Sequence, residues 1–286
     1  MKALVTGHLG FIGRRVFAGL EYAGYDVSGV DLAHDPQDDA CLYFQRASQR
    51  YDLVVHCAAV VGGRAFIEES PLAHAANLRI DTALFQWAER TRPGRVVYVS
   101  SVAAYPVSLQ YGPGCRLRED DVNLDGAAGH PDQIYGWAKL TGEMLASRST
   151  VPVSVPRPFT VYGEDQAPVH PFADLAAQVR ERRDPVTVWG SGNQVRDFIH
   201  VDDVAGVILA MAEQGIDGPA NVCSGIPVSL RDLISMMAAV AGYSPEIRTL
   251  PGKPEGLPYR VGDPGKLHEF YVPWIPLEEG IRKGLA

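Results

Sequence analysis

The sequence predicts an α/β fold, a Rossmann-type doubly wound parallel sheet with a smaller α/β unit on its C-terminal side. Three observations carry that prediction. Short apolar runs recur at 3–5, 52–57, 96–99 and 153–155, as strands covered on both faces require. Helical spacing fills the intervals between them. The first run opens directly into Gly7, Gly10 and Gly13, spaced G-x-x-G-x-x-G, ahead of a helical pattern through Leu20. In that strand–turn–helix context glycines permit a tight turn and close backbone approach, while the helix N-terminus offers N–H groups and a positive dipole end to a pyrophosphate. A second strand, 26–30, ends in Asp31. A carboxylate there can accept hydrogen bonds from a ribose 2′-hydroxyl and repels a 2′-phosphate, which favours NAD over NADP.

The remaining elements follow in order. Residues 32–37 read as loop and 38–50 as helix. The strand at 52–57 runs into Ala58-Ala59-Val60-Val61-Gly62-Gly63, small residues that leave room for a ligand at the sheet's carboxyl edge or serve helix–sheet packing. A long helix spans 71–90 and carries Asn77; the strand at 96–99 ends in Ser100-Ser101. Residues 106–132 form a Pro-, Gly- and Asp-rich loop too long for an idle connection. Helix 134–148 carries Tyr135 and Lys139. Beyond Gly163 a helix is expected at 170–183, strands at 186–189 and 198–201, a helix at 204–212 capped by Asp202-Asp203, a strand at 220–223, and a helix from Ser229 to Ala241. A proline-rich, mostly extended tail and a short helix at 277–283 close the chain. This places a cofactor-binding domain at 1–160, joined by part of 195–225, and a discontinuous substrate-binding domain at 161–286.

Bulk properties restrict the function classes. At 286 residues, 46% hydrophobic and 21% charged, the chain has an ordinary globular composition. A net charge of −8 argues against a nucleic-acid surface. No run of about 18 apolar residues is present, so no membrane-spanning helix is expected. A strand starting at residue 3 leaves no room for a leader, and Cys41, Cys57, Cys115 and Cys223 lack metal-site spacing, which predicts free thiols, no metal and a cytoplasmic setting.

Tyr135 and Lys139 stand i, i+4 and share one helical face. An ammonium beside a phenol favours phenolate, which suits a general base. Alone, such a pair is more often a solvated helix face. A dinucleotide fingerprint, the Ser-Ser strand end and Ala58-Ala59 change that balance. Together with Pro156-Arg157-Pro158-Phe159, the run Gly190-x-Gly192-x-x-x-Arg196-Asp197-Phe198-x-x-Val201-Asp202-Asp203, and Arg260-x-x-Asp263, these residues resemble the extended short-chain dehydrogenase/reductase family of nucleotide-sugar epimerases and dehydratases. The resemblance covers nearly the whole chain. It implies that Tyr135 removes a proton from a sugar hydroxyl, that Ser101 shares that hydrogen bond, and that Lys139 holds the nicotinamide ribose. NAD would take and return the hydride. The residues implied at the cofactor are Gly7, Gly10, Phe11, Ile12, Gly13, Asp31, Leu32, Ala58, Ala59, Val60, Asn77, Ser100, Tyr135, Lys139 and Pro158. Those implied at a nucleotide-diphosphate sugar are Gly62, Ser101, Tyr135, Thr160, Arg196 and Arg260, with the two arginines gripping the diphosphate. A homodimer through the two long helices is also implied.

Departures from the family pattern narrow the chemistry. Where 4,6-dehydratases carry an Asp-Glu pair, Val102 and Ala103 stand here and can donate no proton. Thr160 replaces the usual Asn. The stretch from Asp31 to Asp52 is short of the family pattern by about one strand–helix unit, which leaves Asp35 as a stand-in for the usual adenine-pocket acid. His56-x-Ala58-Ala59-x-Val61-Gly62-Gly63 and Asn77-x-x-Ile80-Asp81 resemble the GDP-fucose synthase and GDP-mannose 3,5-epimerase branch, yet its cysteine after Ser-Ser is Val102; Cys115 or His170 could substitute. Cys57 reads as a small core residue. The leading expectation is an NAD-dependent epimerase acting through a transient keto-sugar at C4. The alternatives are an NADPH-dependent 4-keto-6-deoxy nucleotide-sugar reductase or epimerase–reductase, and a non-catalytic dinucleotide sensor.

Overall fold

The structure, a computed structural model, describes residues 1–35, 37–126 and 129–286. Pro36 of the expected 32–37 loop, and Ala127 and Ala128 of the 106–132 loop, lie outside the described residues. The first apolar run becomes β1 (Lys2–Thr6), which leads through the glycine loop into α1 (Gly13–Tyr22), β2 (Asp26–Val30) and α2 (Ala40–Arg46). Then come β3 (Leu53–His56), α3 (Arg64–Glu69), a 3-10 turn at Pro71–Ala75, α4 (Ala76–Thr91) and β4 (Arg95–Tyr98). The 106–132 loop, which contains further 3-10 turns, leads to α5 (Gln133–Arg148) and β5 (Val153–Pro158). The second half adds β6 (Thr160–Tyr162), α6 (Pro171–Arg180), β7 (Val186–Trp189), β8 (Val195–His200), α7 (Val201–Gln214) and β9 (Gly218–Val222). It ends with β10 (Pro227–Ser229), α8 (Leu230–Ala241), β11 (Ile247–Leu250), β12 (Tyr259–Arg260), α9 (Gly265–His268) and α10 (Leu277–Leu285).

Six strands form one parallel sheet in the order β2-β1-β3-β4-β5-β9. Alternate residues of β1 serve opposite faces. Leu4 packs with Val54, Val96 and Trp87 on one side, and Ala3 and Val5 pack with Val55, Val97 and Ile208 on the other. The strand order reverses between β1 and β3, and at such a switch point the carboxyl ends of a parallel sheet leave a crevice. The sheet stops at β2 because the stretch between Asp31 and Asp52 contains one short helix and, among the described residues, no strand. That agrees with the missing strand–helix unit. α2 is shorter than the expected 38–50 helix: the Asp39 carboxylate accepts from the N–H groups of Cys41 and Leu42 and fixes its start, and Ala47 turns extended after Arg46.

The later elements gather around β8, which pairs with β10, β12 and β6, while β7 pairs with β11. Phe172, Val186, Phe198, Leu233 and Ile281 share a third apolar cluster. Asp202 and Asp203 do not cap α7, as the sequence reading expected. His200 takes that place, its ring accepting from the Asp202 N–H, because the helix begins at Val201. Asp203 is wholly buried in the first turn; its carboxylate accepts from the Tyr271 hydroxyl and the Trp274 and Ile275 N–H groups at 3.0–3.1 Å. It therefore fastens the 271–276 segment to α7. Asp203→Ala strands those donors and is expected to lower the unfolding free energy by about 3 kcal/mol in denaturant titration. A loss below about 1 kcal/mol contradicts the anchoring role.

Candidate active site

The carboxyl ends of β1 to β5 open into one cavity of about 620 Å³. Its walls include Gly7, Gly10, Phe11, Ile12 and Gly13 from the glycine loop, Asp31 and Leu32 after β2, and Ala58, Ala59, Val60 and Gly62 after β3. Ser100 and Ser101 after β4, Tyr135 and Lys139 on α5, Pro158 and Thr160, and Arg260 on β12 complete the predicted set that reaches the cavity. Asp31 and Ser100 follow strands three positions apart in the sheet, roughly 14 Å at the usual strand spacing.

The glycine loop is shaped by backbone crowding. Gly7 has φ of 70°, and a Cβ on it would lie 2.7 Å from the Ala58 nitrogen. A Cβ on Gly13 would overlap the Gly7 carbonyl oxygen, so α1 starts against the loop only because Gly13 has no side chain. No side chain caps α1, which leaves its N-terminus to a ligand. Asp31 joins the loop to β2: its carboxylate accepts from Leu9 N–H and Ala33 N–H, both at 2.9 Å. The residues present thus fit NAD, with a cradle for the pyrophosphate and a fixed carboxylate beyond the second strand.

Ser101 begins a 3-10 turn, its hydroxyl accepting from Ala103 N–H at 3.1 Å, and Ser100 donates to the buried Glu143 carboxylate. Gly136 lets α5 lie against that turn, since a Cβ there would overlap the Ala103 carbonyl oxygen. Tyr135 and Ser101 come to one wall this way. Lys139 is buried; its Nζ donates to the Val99 carbonyl at 2.9 Å and sits 5.0 Å above the Tyr98 ring. Beneath them runs a buried polar chain from Thr6 through His56 (2.7 Å) and Asp81 (3.2 Å) to the Tyr98 hydroxyl (2.6 Å). Burial holds His56 below the usual histidine range, against the pull of Asp81.

Two predicted residues stand away from the cavity wall. Asn77 is fully buried, its amide spent on the Val60 backbone in both directions at 2.7 and 2.9 Å. It positions the wall rather than lining it. Arg196 also lies outside the lining, with its Nη1 donating to the Val195 carbonyl. Asp35 is not on the cavity wall and accepts from Gln37 N–H, whereas Asp38 and Asp39 line the cavity. The sequence reading also missed Asp132, Gln166 and Ile80 as wall residues. Of the substitutes for a second acid/base, His170 lines the cavity and Cys115 does not. Burial lowers the His170 pKa, which keeps its imidazole neutral near pH 7. Cys57 borders the cavity, but burial pushes its thiol up to about 12, so it stays protonated. Val102 and Ala103 face the cavity with nothing to donate.

Residues 3–223 match the model of the NAD dependent epimerase/dehydratase family. The chain belongs to that family. A dTDP-4-dehydro-6-deoxy-D-allose reductase of Streptomyces bikiniensis is 30% identical over 98% of this chain and 94% of its own length. A GDP-L-fucose synthase of Escherichia coli (strain K12) is 26% identical over 98% and 94%. The solved UDP-glucose 4-epimerase of Thermus thermophilus, a complex with NAD, superposes with a TM-score of 0.83, covering 100% of this chain and 98% of that one at 24% identity, and so shares the fold. The chain's family is an NAD-dependent family of nucleotide-sugar epimerases, dehydratases and reductases. The acid/base role that the sequence resemblance implies for Tyr135 predicts that Tyr135→Phe lowers turnover about a hundredfold or more while fold and NAD binding are kept. Unchanged turnover on a converted nucleotide sugar contradicts the assignment of Tyr135.

Proposed function

We propose that the protein is an NAD-dependent nucleotide-sugar epimerase that oxidises its sugar transiently at C4 and reduces it again. The observation that carries this reading is the Asp31 carboxylate, pinned by two backbone N–H groups at the end of β2. A fixed negative charge there disfavours the 2′-phosphate of NADPH, the usual reagent of net reduction. Tyr135 takes the proton from the C4 hydroxyl and Ser101 shares its hydrogen bond. Lys139, fastened to the Val99 carbonyl by one proton, offers its others to the ribose. Bound NAD supplies the hydride acceptor and, on reversal, the hydride donor. Arg260 and Arg196 hold the diphosphate, and Gly62 and Thr160 meet the sugar. A 4,6-elimination has no acid at Val102 or Ala103 to protonate the departing hydroxyl, which sets that reaction aside.

The same reading includes a cofactor-binding domain at 1–160 with part of 195–225, a substrate-binding domain at 161–286, and a homodimer formed through α4 and α5. Leu78 and Met144 are partly exposed on those helices, and Phe85 and Leu145 border a groove between them. A cytoplasmic protein without nucleic-acid or membrane partners agrees with the net charge of −8. Among the described residues no helix is long and apolar enough to cross a membrane.

A second reading has support of its own: a 4-keto-6-deoxy nucleotide-sugar reductase or epimerase–reductase. His170 provides a neutral imidazole in the cavity, and the 30% identical relative is named as a reductase. Assays with UDP-, GDP-, dTDP- and ADP-sugars separate the two. The epimerase reading expects protein that purifies with NAD and interconverts sugars with no net change in nicotinamide absorbance. Stoichiometric NADPH consumption on a 4-keto-6-deoxy sugar, with solvent deuterium entering beside the ketone, establishes the second reading instead.

A further inference from the structure

Two guanidiniums bind one buried carboxylate beside the cavity, and a third lies close to both. Asp132 accepts from Arg260 Nη2 at 2.6 Å and from Arg64 Nη1 at 3.0 and 3.1 Å. Arg196 is paired with Arg260 in the β8–β12 register. It also approaches Arg64: a Cβ built on Gly256 would lie 3.4 Å from Arg196 Nη2 and 3.6 Å from Arg64 Cδ. Among the described residues Arg196 has no carboxylate within ion-pair distance, and its guanidinium hydrogen bond goes to the neighbouring Val195 carbonyl at 2.8 Å. The other carboxylates facing the cluster are Glu68, bound to Arg64 at 2.5 Å, and the exposed Glu255.

Arg196 is the one guanidinium of the three that binds no carboxylate among the described residues. Burial, and then the neighbouring Arg260 and Arg64, lower the Arg196 pKa to about 9. Burial pushes Asp132 up, but Arg260 and Arg64 outweigh it and hold the carboxyl below the usual range. A guanidinium kept from water without a partner is costly, and the natural complement of several such forks is an anion with several oxygens. Asp132 and Arg260 line the cavity, as does Gly62, two residues before Arg64. An anion in that cavity therefore meets the cluster at Arg260 and Asp132.

We propose that Arg64, at the start of α3, is a third phosphate-binding arginine that receives the substrate's diphosphate together with Arg196 and Arg260. Asp132 holds Arg64 and Arg260 in place before the diphosphate arrives. This rests on the nucleotide-sugar reading and adds a residue to it. The two phosphates bring the anionic partner that Arg196 lacks, and their contact with Arg64 ties α3 and the Gly62-Gly63 wall to substrate binding.

The test is calorimetric titration of the NAD-saturated protein with uridine, guanosine and thymidine and with their 5′-mono- and diphosphates. Arg64→Gln is expected to weaken the preferred diphosphate by about ten- to hundredfold, the scale of one hydrogen bond to a charged group, and the monophosphate by less. Nucleoside and NAD binding stay as in wild type. Arg64→Lys, which keeps the charge and loses the fork, falls between, with an unchanged melting temperature, and carries the test if the glutamine variant does not fold. Equal diphosphate affinity in wild type and both variants overturns the inference alone. So does a uniform loss that includes nucleoside and NAD, since that marks Arg64 as a brace for its loop. A wild type that binds no nucleoside diphosphate overturns the nucleotide-sugar reading as well.

Discussion

The backbone contact between Gly13 and the Gly7 carbonyl sets the arrangement of the whole site. It brings the first turn of α1 against the end of β1, at the point where the strand order reverses toward β3. Any side chain at Gly13 would push the helix off the sheet, and one at Gly7 would strike the Ala58 backbone. The loop is thus narrow because two strand ends and a helix start compete for one volume. Asp31 secures it from the edge strand through Leu9. On the other side the Thr6–His56–Asp81–Tyr98 chain joins β1, β3, α4 and β4 beneath the cavity floor. Fully satisfied buried networks of this kind rigidify the elements they connect.

Charge is distributed along the cavity in a way that separates two tasks. The carboxylates Asp31, Asp38 and Asp39 gather where β2 and α2 meet it. Arg260 enters from β12 with Arg64 and Arg196 near it, and Asp132 alone among their close carboxylates is buried. Between these regions stand Ser101, Tyr135 and Lys139, with apolar Val102 and Ala103 alongside. An acidic region suits a ribose without phosphate, a basic region suits a diphosphate, and the weakly polar stretch between suits proton and hydride movement kept from bulk water.

What could be read from the sequence was what short-range pattern encodes. The glycine triplet, the strand ends at Asp31 and Ser100-Ser101, and the i, i+4 pair on α5 are local, and all reach the cavity. The missing strand–helix unit after Asp31 was legible from length. The misses share a different cause. Asp203 looked like a helix cap because its partners at Tyr271, Trp274 and Ile275 lie about seventy residues away, beyond any local pattern. The start of α2 was placed two residues early because it is set by the Asp39 side-chain cap, which spacing alone does not show. Asn77 was assigned to the ligand although its amide is consumed by Val60, seventeen residues back. Arg64 carried no motif; beyond its own-helix partner Glu68, it is the packing of α3 against Asp132 that brings it to the other arginines.

The central claim is that one nicotinamide is held in this cavity and reused, so that the hydrogen leaving the sugar returns to it. A nucleotide sugar deuterated at C4, converted by protein carrying only its resident NAD, tests this most directly. The account predicts that the label remains at C4 in both epimers, with none in water and no reduced cofactor accumulating. Loss of the label to solvent, or one equivalent of NADPH consumed for each product formed, would contradict it.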